Sequence, residues 1–304
     1  MFKPKLVAFL FVLALILAAC RPAAPVEPIP TSSPAEPTLA AASETPAPSP
    51  TPTSLPAAAL VNGEIIPLSY YQNEVLRYRA SFAEGETPPT DAEIQTTVLN
   101  SLIEQLLLAQ QARQSGFTFT DADVQQRIDA LLTQLGSGSA LTDWMQVNHY
   151  DDAEFRYALK LSTEAAWQRD EIINAVPTAV EQVRARQIFA QTQAGAEHAL
   201  TSLNSGASFD DLAWQYSPET GGELGWFPRG YLLYPDIEAA AFLLAPGEHS
   251  GIIQTEIGYH IIQVMERSDA HPLTTDARLS LQTQALAQWL EARRAEAKID
   301  LVLP

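Results

Sequence analysis

Val183–Arg267 reads VRARQIFAQTQAGAEHALTSLNSGASFDDLAWQYSPETGGELGWFPRGYLLYPDIEAAAFLLAPGEHSGIIQTEIGYHIIQVMER. The apolar run Val183–Phe189 predicts a strand. Helical spacing follows over 194–205, with Ala196, Ala199, Leu200 and Leu203 on one side. Ser208-x-x-Asp211 opens a second helix, over 208–216. Next come the loop Ser217-Pro218-Glu219-Thr220 and a glycine-rich turn, Gly221-Gly222-Glu223-Leu224-Gly225-Trp226-Phe227. A short helix is expected at 235–243 and two strands around 251–265. In the second of these, Gly258 makes a tight bend and His260 enters the strand directly behind it. The pattern predicts a small α+β domain with a mostly antiparallel sheet.

Working outward, residues 60–176 carry helical periodicity. Val61-Asn62-Gly63-Glu64-Ile65-Ile66 signals a strand and turn, and helix follows from about Pro67 to Phe82. Thr90-Asp91-Ala92-Glu93 is a capping-box start, and the helix behind it lines up Ile94, Val98, Leu102, Leu106 and Ala109 until Gly116. Thr120-Asp121-Ala122-Asp123 opens another, with Val124, Ile128, Leu131, Leu132 and Leu135 inward. Residues 151–173 form a further helix, whose first turn is acidic, as the helix dipole favours. No metal-ligand or nucleophile spacing appears there; the chemistry of this module is packing. Pro177 marks a boundary, and Thr178–Glu181 reads as a capping box restarting a short turn. Beyond 270, Leu279, Leu286, Trp289 and Leu290 make one apolar stripe, and 297–303 alternates like an edge strand. Neither can bury itself alone, so both are expected to pack on 60–176 and bracket the middle domain.

The N-terminus reads as an address. Lys3 and Lys5 precede an apolar stretch from Leu6 to Leu17, short for a membrane span. Leu17-Ala18-Ala19-Cys20 follows, and Cys20 is the one cysteine of the chain. That junction resembles the bacterial lipobox, in which such a cysteine is lipidated. An uncleaved anchor, or a plain secretion signal with an incidental Cys, is the alternative. Residues 21–59 contain 11 of the 22 prolines, among Ala, Ser and Thr, and read as a disordered spacer. The net charge is −18; the three basic residues before position 60 balance the three acidic ones, leaving 15 basic against 33 acidic beyond it. That argues against nucleic acid and against docking of the folded part on anionic lipid.

The middle stretch resembles the parvulin family of peptidyl-prolyl isomerases. The matching pieces are Val183-Arg-Ala-Arg186, Gly206-Ala-Ser-Phe209-Asp-Asp-Leu212-Ala213, Tyr216-Ser217, Gly221 to Phe227, Ala240-Ala-Phe242, Gly247-Glu248, Gln254-Thr255 and Gly258-Tyr-His-Ile-Ile262. More loosely, 60–176 with the C-terminal helix resembles the chaperone domain of SurA- and PrsA-type foldases. The resemblance implies an α+β parvulin-like domain inserted in an all-α chaperone-like domain. Its divisions are a signal peptide at 1–19, lipidated Cys20 and linker at 20–59, a chaperone domain at 60–176, the isomerase domain at 177–270 and a returning helix and strand at 271–304. It also implies an extracytoplasmic, lipid-anchored foldase of the bacterial cell membrane, whose partners are unfolded exported polypeptides with X-Pro bonds.

Isomerisation calls for no nucleophile, cofactor or metal. The resemblance places the catalytic polar positions at His260, Thr255, Glu219 and Gln187, and the proline pocket at Leu224, Leu233 and Ile237. Two positions depart from the family. Gln187 replaces a motif histidine, and Gln can donate and accept hydrogen bonds but cannot switch charge. Ile257 stands where some members carry a hydroxyl. Plainer readings stay open: His260 buttressing the sheet, Glu219 as a solvated loop carboxylate, the leucines as ordinary core. Loop 191–197 lacks a basic cluster, which argues against phosphate-directed specificity. The functional alternatives are an isomerase and a catalytically weak holdase gripping proline-containing segments, with a structural envelope lipoprotein behind them.

Overall fold

The computed structural model describes residues 56–83 and 86–303. The expected signal peptide, Cys20 and the linker up to 55 lie outside them. The chain divides into two units. The first holds the described part of Met1–Leu106, with Thr118–Thr163 and Ala297–Pro304; the second holds Leu107–Phe117 and Glu164–Glu296.

The order of elements is β1 (Ala57–Val61), β2 (Glu64–Pro67), α1 (Leu68–Ala80), α2 (Asp91–Gln114), α3 (Asp121–Leu135), α4 (Gly138–Val147), α5 (Asp152–Asn174), β3 (Ala179–Ala190), α6 (Gln193–Asn204), α7 (Phe209–Tyr216), β4 (Glu223–Pro228), α8 (Pro235–Leu243), β5 (Ile253–Thr255), β6 (Gly258–Pro272), α9 (Thr275–Glu296) and β7 (Ile299–Leu301).

In the first unit, local chemistry starts the helices and burial holds them. Thr120 and Asp123 exchange capping bonds at the start of α3: the Thr120 hydroxyl accepts from the Asp123 N–H, and the Asp123 carboxylate from the Thr120 N–H. The α3 stripe Val124, Ile128 and Leu131 packs with Leu141, Phe155 and Leu159. A three-stranded sheet of order β2-β1-β7 completes the unit. β7 pairs antiparallel with β1, Ala59 opposite Leu301 and Val61 opposite Ile299. The chain end therefore returns to its first described strand.

The second unit is built on a four-stranded antiparallel sheet of order β4-β3-β6-β5. Alternation along β3 and β6 divides the side chains between two faces. On one face Val183, Ala185, Ile262 and Val264 bury against Ile237, Ala241 and Phe242 of α8. On the other, Ile188 and Ile261 bury against Ala199 and Leu203 of α6 and Phe209 and Leu212 of α7. At the start of β3 the expected capping box does not form. Ala179 instead pairs with Pro272, and the Thr178 carbonyl accepts from the Leu273 N–H; sheet pairing overrides the local helix signal. In α9, the Gln282 amide donates to the Ile173 carbonyl at 3.1 Å. Leu279 of its apolar stripe is exposed.

Candidate active site

The sheet register brings three of the expected polar residues together. Phe189 on β3 faces His260 on β6, and Gln187 lies two residues back on the same face, opposite Ile262. On the other flank of β6, Ile253 of β5 faces His260, so Thr255 lies diagonally to it. His260 Nδ1 donates to Gln187 Oε1 at 2.8 Å. With that nitrogen carrying the proton, Nε2 is the acceptor. The Thr255 hydroxyl donates to it at 2.8 Å, in preference to the Gly258 carbonyl at 3.3 Å. The Ile257 N–H in turn donates to Thr255 Oγ1 at 3.4 Å.

The His260 side chain is buried, with 1% of its surface exposed. Burial pushes its imidazole below the usual 6.5. It is therefore a neutral ring with a fixed tautomer. Phe189 and Tyr234 flank it, their ring centroids 5.0 and 6.2 Å away.

The glycine-rich turn holds Gln187 from the other side. The Gln187 N–H donates to the Gly222 carbonyl at 2.8 Å. Gly222 has φ +70°, and a Cβ there would lie 1.9 Å from the Gln187 carbonyl oxygen. Glycine is required at this crossing both for its backbone conformation and for the close approach.

Beside the His260 chain lies an open concavity of about 580 Å³, lined by Leu233, Tyr234, Pro235, Asp236, Gln254, Thr255 and Glu256. Of the three expected pocket residues, Leu233 lines it and is 81% exposed. Ile237 does not: it sits on the inner side of α8 with Ala241 one turn on, and is 4% exposed within the core. Leu224 is partly buried against the same cluster. Glu219 is exposed in the turn before Gly221; among the described residues it neither lines the concavity nor bonds to the His260 chain. Sequence reasoning missed Tyr234 and Phe189 at this site. Tyr234-Pro235 at the start of α8, and a bulky residue two after Gln187 on one strand, were the available signals.

Comparison with known proteins places the chain. The PPIC-type PPIase domain family matches residues 173–266, and the SurA-like N-terminal domain family matches 51–155. The chain thus carries a parvulin-type peptidyl-prolyl cis-trans isomerase domain and joins it to a SurA-like N-terminal domain. It is 29% identical to the foldase protein PrsA of Caldanaerobacter subterraneus over 67% of this chain and 72% of that protein. It is 34% identical to the chaperone SurA of Nitrosospira multiformis over 40% of this chain and 30% of that protein. A crystal structure of peptidylprolyl isomerase PrsA from Bacillus cereus is 20% identical, over 71% of this chain and 89% of that one, at a TM-score of 0.45.

Proposed function

We propose that this chain is an extracytoplasmic foldase, anchored by lipid at Cys20, that isomerises X-Pro bonds in exported polypeptides through the concavity beside His260. In this reading the helical module at 60–176 holds clients near the isomerase domain. The observation that carries it is the hydrogen-bonded chain Gln187–His260–Thr255 against a concavity walled by Leu233, Tyr234 and Pro235.

Amide rotation faces a barrier of about 18–20 kcal/mol from the double-bond character of the C–N link. No bond in the client breaks other than that partial π bond, so orientation and environment suffice. Leu233 and Tyr234 offer an apolar wall for the pyrrolidine ring. Thr255 and His260 hold the opposite wall rigid, because each is already hydrogen-bonded and need not reorganise as the amide twists. Every 1.36 kcal/mol by which the twisted amide is favoured over the planar one is a tenfold gain. His260 is held neutral, so proton transfer is not part of this scheme.

A second reading is favoured by Gln187: a holdase that grips proline-containing segments and turns them over slowly. A proline-tetrapeptide isomerisation assay on the full chain separates the two. Leu233→Ala should lower kcat/KM about tenfold, equal to about 1.4 kcal/mol and just below the ~1.5–3 kcal/mol of a fully buried leucine. Gln187→His should raise turnover with little change in peptide affinity. Undetectable turnover by both the parent and Gln187→His, alongside intact suppression of client aggregation, leaves the holdase.

A further inference from the structure

Glu238 lies on α8, outside the His260 chain and outside the lining of the concavity. Its carboxylate accepts three consecutive backbone N–H groups: Gly230 at 2.6 Å, and Tyr231 and Leu232 at 2.9 and 3.1 Å. Three successive amides aimed at one point form an anion cradle. Here the anion comes from the protein's own chain, six to eight residues further on. Gly230 has φ +80°, and its carbonyl accepts from the Gln284 amide of α9. So the loop from Gly230 to Leu232 is held at its amides by Glu238 and at a carbonyl by Gln284.

The next residues are Leu233 and Tyr234. Leu233 is 81% exposed, an apolar side chain displayed to water on a tightly held loop. Tyr231, Leu232 and Tyr234 pack partly on the core beside α8, but Leu233 does not, and packing of its neighbours does not account for three amides and a carbonyl being held just before it. A preformed wall does: a leucine held in its binding position before the ligand arrives loses less conformational entropy on binding. Tyr234 follows it into the concavity and lies beside the His260 ring.

We infer that Glu238 is a positioning residue of the isomerase site: its carboxylate fixes the 230–234 loop so that Leu233 and Tyr234 meet the proline ring as a ready-made wall. The inference rests on the proposed isomerase function. It differs from a general stabilising role because it predicts a defect in substrate capture that runs through Leu233.

The test uses the full chain, with Glu238→Gln, Leu233→Ala and the double variant. Glutamine keeps the shape of the side chain but turns one oxygen into an N–H donor facing the backbone N–H groups. Glu238→Gln is expected to raise KM about five- to tenfold with kcat within about twofold. In the Leu233→Ala background it should add less than about twofold, because two residues acting through one contact are not additive. Amide hydrogen exchange checks that the variant is folded: Tyr231 and Leu232 should exchange faster while β3 and β6 keep their protection. Parent KM in Glu238→Gln overturns the inference. So do effects that multiply in the double variant, or a defect seen in kcat alone. A parent without turnover that still binds a proline peptide overturns the isomerase reading, not this one; peptide Kd then replaces KM in the same cycle. A parent that neither turns over nor binds overturns both.

Discussion

An imidazole removed from water is hard to charge, and His260 has no anion on either ring nitrogen to ease it. Its partners are an amide oxygen and a hydroxyl, and burial lowers its pKa below 6.5. The consequence for stability has a definite sign. Above about pH 6.5 the ring is neutral whether the chain is folded or not, and contributes no pH dependence. As pH falls below that value, the unfolded chain takes up the proton first, so stability declines until the folded-state pKa is passed. For one proton the limiting slope is about 1.4 kcal/mol per pH unit. Urea unfolding at pH 7.5, 6.5 and 5.5 should show a steeper acid loss in the parent than in His260→Asn, whatever the variant's stability at neutral pH. Parallel curves would mean that the buried ring is not the acid-sensitive group.

Elements begun by their own end residues could be read from the sequence; elements completed by distant partners could not. The Thr90–Glu93 capping box is present as expected, because both partners lie within one turn: the Glu93 carboxylate accepts the Thr90 N–H and the Thr90 hydroxyl accepts the Glu93 N–H. The similar pattern at 178–181 is overruled by the long β3–β6 ladder. α4 has no counterpart among the elements read from the sequence. Its N-cap is nevertheless local, the Ser137 hydroxyl accepting the Ala140 N–H; what secures the helix is Leu141, buried against α3 and α5. At the site, Gln187, His260 and Thr255 could be picked out because each sits in a recognisable motif. Ile237 was harder, because an apolar residue on a helix does not say which way it faces until its sheet is in place.

Arg77 shows the same dependence on distant partners. From α1 it donates to the Asn148 and His149 carbonyls behind α4 at 2.8 and 3.1 Å, and to Glu74 at 2.8 Å. Its guanidinium lies over the Tyr150 ring, 3.7 Å from the centroid. Glu74 is buried, and the Tyr150 hydroxyl also donates to it. Arg77→Leu should therefore cost about 3–5 kcal/mol, mostly by leaving the Glu74 charge buried without its cation. Arg77→Leu/Glu74→Leu should recover much of the loss in urea unfolding. A single variant within about 1 kcal/mol of the parent would show that Glu74 is satisfied without Arg77.

At the scale of the whole molecule, charge decides how the protein can meet a membrane. All of the −18 falls beyond residue 59, and such a surface is repelled by anionic lipid. Among the described residues no helix is long and apolar enough to cross a bilayer. In the proposed reading, attachment then rests wholly on Cys20. Lipid attachment through several acyl chains is stable, whereas electrostatic adsorption is salt-sensitive. The parent protein should therefore stay with membranes through a high-salt wash and partition into detergent. Residues 21–304 secreted behind an ordinary cleavable signal should be recovered entirely in the soluble fraction, at low salt as well as high, with isomerase activity unchanged. If that shortened protein sediments with membranes, or if salt releases the parent, attachment runs through the folded surface and the anchor at Cys20 is wrong.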